Sequence, residues 1–329
     1  MRPWIIWVPA MLLTVSSMVA CDDASAPTPA PPASGSERLT WQKLAPVPSA
    51  RTEVAAAVTG TRIVVAGGYR ADGGTVATVE VFDTAAGTWR PGPDLPVAVN
   101  HPMAASVGDT VYVFGGYEAN GNATTQAFRL DGDAWKPIAL MPWPRAAATA
   151  AAADGRVYVA GGIGQGGALA TEMLVYDTAT DRWSVAPGLP TPREHLGGGG
   201  FGGRVYVVGG RTSAGILATF EVFDPGTQKW SSLPPMPTPR GGMAAAAACN
   251  GRIVAVGGEA SATFPEVEVF DVKTGAWQTL PPLPTPRHGL GVVSVGTKVY
   301  TVAGGPKPGL SVADSNESLD LAGLGPCAG

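Results

Sequence analysis

The sequence predicts an all-β fold over residues 38–323: a six-bladed β-propeller with four-stranded antiparallel blades. Three observations carry this. Tryptophan recurs at 41, 89, 135, 183, 230 and 277, at intervals of 46–48 residues. A Gly-Gly pair recurs at 67, 115, 161, 209, 257 and 304 with the same period. Six copies of a unit this long, each with several strand signals, indicate a radial array of blades.

Each unit supplies four strands. The first is a run of small residues, such as residues 55–58 or 243–248, followed by a Gly-containing turn such as Asp154-Gly155 or Asn250-Gly251. Such pairs accept the positive φ of tight hairpins. Residues 146–153 are nearly all Ala or Thr and read locally as helix. The repeat overrides that reading, because small residues suit an innermost strand where blades crowd the axis. The second strand is continuously apolar and ends at Gly-Gly, as in IVVAGG, VYVFGG and VYVVGG. Continuous apolarity indicates burial on both faces. The third alternates, as in residues 78–82 and 266–270. An aromatic stands seven residues before five of the tryptophans: Phe82, Phe128, Tyr176, Phe223 and Phe270. Asp follows it in four, with Arg129 the exception. The fourth strand starts at Trp and ends in a Pro-rich turn such as LPPMPTPR.

The last unit has a third-strand candidate at residues 318–321 but no tryptophan of its own, whereas Trp41 precedes the first complete unit. The N-terminal segment near residues 39–44 is therefore expected to be the outer strand of the sixth blade. Pairing the two ends of the chain removes exposed sheet edges. Residues 324–329 form a short tail.

The Gly-Gly, aromatic and Trp spacings together resemble the kelch motif, over nearly all of the chain after residue 37. The resemblance implies four-stranded blades. The Trp-Asp signature of WD40 units is missing.

The N-terminus reads as an export signal. Arg2 precedes an apolar stretch, residues 4–13, then small residues and Cys21. Val19-Ala20-Cys21 resembles the lipobox of bacterial lipoproteins, which implies cleavage after residue 20 and lipidation of Cys21. Met18 departs from the usual Leu. Residues 21–37, rich in Pro, Ala and Ser, are a linker. The expected location is thus the bacterial cell envelope, periplasmic or outer, with membrane contact through a lipid anchor only. Cys249 and Cys327 are left with two readings, a buried thiol or a disulfide formed in an oxidising compartment.

Repeated residues read as scaffold, and unlike loops read as the working surface. Arg51, Arg145, Arg193, Arg240 and Arg287 end the Pro-rich turns, with Asn100 at the matching place in the second blade. Each braces its own turn, or together they ring one mouth of the channel as an anion or carboxylate site. The loops after Gly-Gly lie on the same face and carry Tyr69, Arg70, Tyr117, Glu118, Arg211 and Glu259 as candidate contacts. His101, His195 and His288 begin inner strands of blades two, four and six. His195 is one position out of step with the other two, and adjacent strand positions face opposite ways. No metal site or cofactor is therefore expected. The Gly-rich residues 197–200 read as opening the channel.

Net charge is −4 with no Lys/Arg run, which excludes a linear nucleic-acid footprint. No GxSxG elbow, phosphate loop or HExxH motif is present. Galactose-oxidase-like kelch enzymes are excluded because no Tyr neighbours Cys249 or Cys327. The expected function is binding of a protein or carbohydrate at one mouth by a monomeric propeller. The alternative is a sugar-processing enzyme resembling the periplasmic sialic-acid mutarotases. That resemblance implies an acid/base pair beside a carboxylate-binding arginine, matched here to Arg193, Glu194 and His195.

Overall fold

Six four-stranded antiparallel sheets follow one another along the chain in a computed structural model, which describes residues 39–327. The export signal, the lipidation site Cys21 and the linker lie outside the described residues. Blade 1 comprises Ala55–Thr59, Arg62–Ala66, Val79–Asp83 and Thr88–Pro91. Blade 2 is Met103–Val107, Thr110–Phe114, Ala127–Asp131 and Ala134–Pro137; blade 3 is Thr149–Ala153, Arg156–Ala160, Glu172–Asp177 and Arg182–Pro187. Blade 4 is Gly197–Phe201, Arg204–Val208, Phe220–Asp224 and Lys229–Ser232; blade 5 is Ala244–Ala248, Arg252–Val256, Val267–Asp271 and Ala276–Thr279. Blade 6 combines Gly291–Val295, Lys298–Val302 and Asn316–Asp320 with an outer strand from the other end of the chain, Gln42–Lys43. Gln42 opposes Ser318 and Lys43 opposes Glu317, so the ring closes as the sequence predicts. The Ala-rich residues 149–153 are strand.

Apolar side chains fill the space between neighbouring blades. Val254, Val267 and Val269 of blade 5, for example, pack with Val292, Val299 and Leu319 of blade 6. The tryptophans repeat one contact six times. Each indole Nε1 donates to a carbonyl of the preceding blade's outer turn: Trp41 to Pro281, Trp89 to Ala45, Trp135 to Pro93, Trp183 to Ala139, Trp230 to Pro187 and Trp277 to Pro234, at 2.8–2.9 Å. The repeated Asp works within its own hairpin. Asp83 Oδ1 accepts from the Ala85 and Ala86 amides, and Asp271 Oδ1 from Lys273 and Thr274.

Two repeat positions differ from the sequence reading. In blade 2 the third-to-fourth hairpin is shorter, so Leu130, not Phe128, opposes Trp135, as Phe82 opposes Trp89. Leu130-Asp131 therefore fills the aromatic-Asp slot, and Phe128 moves two positions up the strand. In blade 6 the two left-handed residues are Ala303 and Gly304, rather than Gly304 and Gly305. The second of each pair needs glycine because a neighbouring carbonyl comes close. A Cβ on Gly304 would stand 2.8 Å from the His288 oxygen, and one on Gly258 2.7 Å from that of Gly241.

The glycines of Gly197–Phe201 do the opposite of opening the channel. A Cβ on Gly197 would lie 2.7 Å from the Ala245 amide, and one on Gly199 2.8 Å from that of Ala247. Their bare backbone lets blade 4 press against blade 5. A cavity of 340 Å³ remains on the axis, lined by the six inner strands.

Candidate functional site at the channel mouth

The five turn arginines do not line the mouth. All are fully buried, each turned back into its own blade. Arg51 donates to the Gly67 and Thr78 carbonyls and to Glu80 Oε2 at 2.8 Å. Arg193 pairs with Glu221 at 2.6 Å, Arg240 with Glu268 at 2.7 Å, and Arg287 with Glu317 at 2.8 Å. Arg145 reaches Glu172 at 3.3 Å. In blades 1, 4, 5 and 6 the alternating third strand thus hides its glutamate instead of showing it to solvent, whereas Glu172 of blade 3 stays partly exposed. This corrects the expected anion ring: an arginine with no exposed surface and a carboxylate already on its guanidinium cannot receive a ligand. Arg193 is excluded from a mutarotase-like site for the same reason.

Asn100 is not the counterpart of these arginines. Val99 is, because its carbonyl accepts from Gly68 as those of Arg145 and Arg193 accept from Gly116 and Gly162. Blade 2 replaces both members of the pair: Val99 stands for Arg and Phe128 for Glu, and the two share one apolar cluster.

This shift of one residue changes the histidine register. Two positions after the arginine slot come Glu53, His101, Ala147, His195, Gly242 and Gly289, all with positive φ between 51° and 64°. Their backbones form a chain of hydrogen bonds around the axis. The His101 amide donates to Glu53, Ala147 to His101, His195 to Ala147, Gly242 to His195 and Gly289 to Gly242, at 2.9–3.2 Å. The Val54 amide completes the circuit to Gly289 at 3.4 Å. Left-handed backbone in a non-glycine residue costs on the order of 1 kcal/mol or more. Glycine meets the requirement in blades 5 and 6, so Glu53, His101 and His195 carry side chains where the scaffold needs none.

Those side chains converge. One ligand atom from each of Glu53, His101 and His195 lies within 4.8 Å of the others. The objection from strand alternation fails because these residues precede the strands and sit in a left-handed kink, where the two-residue alternation does not apply. Glu53 Oε2 is 3.1 Å from His101 Nε2, and Oε1 is 3.2 Å from His288 Nδ1. His101 Nδ1 bonds Asn100 Oδ1 at 2.7 Å, and His195 Nδ1 contacts Glu194 Oε2. Glu194 also accepts from Arg211 Nε at 2.8 Å, and Arg211 reaches Glu259 at 3.0 Å. Tyr69 and Tyr117 set their rings edge-on to His101, with centroids 5.9 and 5.6 Å away.

The charge distribution follows from the partners. His288 faces acceptors on both nitrogens: Glu53 at Nδ1, and the Lys307 and Gly309 carbonyls at Nε2. Both nitrogens are thus placed to donate, an arrangement that favours the charged ring. Burial opposes that charge, but the Glu53 bond and the Glu259 carboxylate outweigh it and raise its pKa. Burial pushes His195 down to about 3 and also lowers His101, with Glu53 opposing only in part. Burial alone would raise Glu53, but the surrounding histidines hold it well below the usual carboxylate range.

Of the sequence-predicted contacts, Asn100, Tyr69, Tyr117, Glu194, His195, Arg211 and Glu259 belong to this cluster. Arg70 and Glu118 do not: each bonds within its own exposed loop, to Asp72 and Asn120. Glu53 was not singled out by sequence reasoning. Matching Arg51-Thr52-Glu53 to Arg193-Glu194-His195 would have found it.

Residues 50–96 and 144–190 match the Kelch motif, and residues 185–305 match the KLHDC2/KLHL20/DRC7 Kelch-repeats domain. The chain carries kelch repeats. No curated protein matches it. The kelch matches pass over residues 97–143, where blade 2 has its shortened hairpin and lacks the Arg–Glu pair. Kelch propellers are typically protein-interaction scaffolds.

Proposed function

We propose that this kelch propeller is a binding protein of the bacterial cell envelope, held by a lipid on Cys21, and that it recognises a protein or carbohydrate at the channel mouth. The observation that carries the reading is the mouth itself. Tyr69, Tyr117, Arg211 and Glu259 from the unlike loops meet the histidine cluster there. Polar and aromatic groups on loops over a rigid scaffold are the usual means of recognition. Beside them, Leu310 of the last loop is 55 % exposed. The Cys21 context and the Pro-rich linker support export and anchoring. So does the Cys249–Cys327 disulfide, a bond that persists in oxidising compartments. The outer edge of blade 6 is only the two-residue strand Gln42–Lys43, and so short an edge is in keeping with a monomer.

A photo-cross-linking residue at Leu310 tests the site in cells, with one at Gly108, in the hairpin at the far end of blade 2, as the control. Adducts should form from Leu310 and disappear in Tyr69→Ala/Tyr117→Ala. Equal adducts from both positions would defeat the assignment.

One observation keeps the sugar-processing reading as a second: Glu194 and His195 are in direct contact at the mouth. NMR exchange between sugar anomers, accelerated by the protein and lost in Glu194→Ala, would establish it; no acceleration would remove it.

A further inference from the structure

We propose that Glu53, His101 and His195 bind one divalent transition-metal ion of the zinc class on the propeller axis. Two imidazoles and a carboxylate are the donor set such ions take, and three protein ligands are the usual number where further positions stay open. The 3.1 Å between Glu53 Oε2 and His101 Nε2 matches two donors sharing one ion, which stand roughly 3 Å apart at bonds of about 2 Å. The His195 ligand atom lies within 4.8 Å of the other two and would have to approach them to complete the set.

Each ligand is already oriented by a second group. Asn100 Oδ1 accepts from His101 Nδ1, which fixes the proton there and leaves Nε2 with its lone pair free. Glu194 does the same for His195. His288 Nδ1 lies 3.2 Å from Glu53 Oε1, which engages that oxygen and leaves Oε2 for the ion. Glu194 is anchored in turn by Arg211. Metal-binding histidines almost always have such partners on their other nitrogen. A mere ion-pair network would not need all three.

The other three axis positions are Ala147, Gly242 and Gly289, which have no ligating side chain. The ion would therefore keep positions for water or for an oxygen of a bound molecule. This inference is independent of the partner proposed above, since it needs only the three side chains.

The test is zinc titration of the untagged, chelator-stripped full chain, followed by calorimetry and elemental analysis. One ion per chain is expected. His101→Gly and His195→Gly should each abolish stoichiometric uptake. Both variants reproduce the glycine that blades 5 and 6 carry at the same place, so the fold is retained, and melting curves verify this. Asn100→Ala should weaken binding about 10- to 100-fold. In the native protein, cobalt should give visible absorption bands typical of imidazole ligation. The absence of saturable uptake by the native chain, or uptake unchanged in folded His101→Gly and His195→Gly, would overturn the proposal.

Discussion

The buried arginines show how one side chain can read as a contact and act as a brace. Arg240 places its charge where no water reaches, with Glu268 beside it and the Thr238 and Ala255 carbonyls around it. Removing one partner strands the other charge. Arg240→Ala should therefore cost about 3–5 kcal/mol in urea unfolding. Replacing both can be far milder, because no charge is left unpaired. Blade 2 already does so with Val99 and Phe128, so Arg240→Val/Glu268→Phe should recover most of that loss. A double variant as unstable as the single would show that the pair does more than balance itself. The arginines were visible in the sequence as a period, but their direction was not. That direction depends on Glu80, Glu221, Glu268 and Glu317, which look like the polar half of an alternating strand. The histidine site was hidden by the same ambiguity. Taking Asn100 rather than Val99 as the arginine slot displaced His101 by one position, and one position separates convergence from divergence.

At the scale of the element, the blade was almost fully legible. Turn chemistry, continuous apolarity and the Trp each marked a strand, and the strands of the six blades lie at their signals; the two-residue strands Arg211–Thr212 and Gly215–Ile216, in a stretch read as loop, do not. The exceptions are local. Blade 2's hairpin is shorter than the others, which a fixed Phe-to-Trp spacing cannot reveal. The glycines of Gly197–Phe201 say only that space is short, and the direction of the shortage appears once Ala245 and Ala247 are in place. The composite sixth blade was legible from what the last unit lacks. Its outer strand is just Gln42–Lys43, but the segment around it carries the Trp41 indole, the Ala45 carbonyl that accepts from Trp89 and Asn316, and the apolar Leu39 and Leu44. Deleting residues 38–46 should thus loosen blades 5, 6 and 1 together. At roughly 2 °C per kcal/mol for a domain this large, a drop of about 10 °C or more in Tm is expected. An unchanged melting curve would refute closure by this segment.

At the scale of the whole molecule, the ring is fastened twice. The outer strand of blade 6 joins its two ends, and Cys327 ties the C-terminal tail to Cys249 at the end of blade 5's inner strand, 78 residues away in sequence. Asn250 and Arg252 hold the tail beside it through the Leu321, Gly325 and Leu324 carbonyls. A loop of that length confers up to about 4 kcal/mol by restricting the unfolded chain. Cys327→Ser should lower unfolding stability by that order, and adding a reductant to the variant should change nothing further. Both fastenings also fix where the ends leave. Gln42–Lys43 runs antiparallel to Asn316–Asp320, which descends from the mouth, so the N-terminal segment starts at the opposite end of the blade. Leu39 lies there against Gly323 of the tail. The molecule therefore has a handle side and an open side. Coupled to a bead, a sensor surface or a fused domain through either end, it presents the histidine mouth to solution, free to be probed.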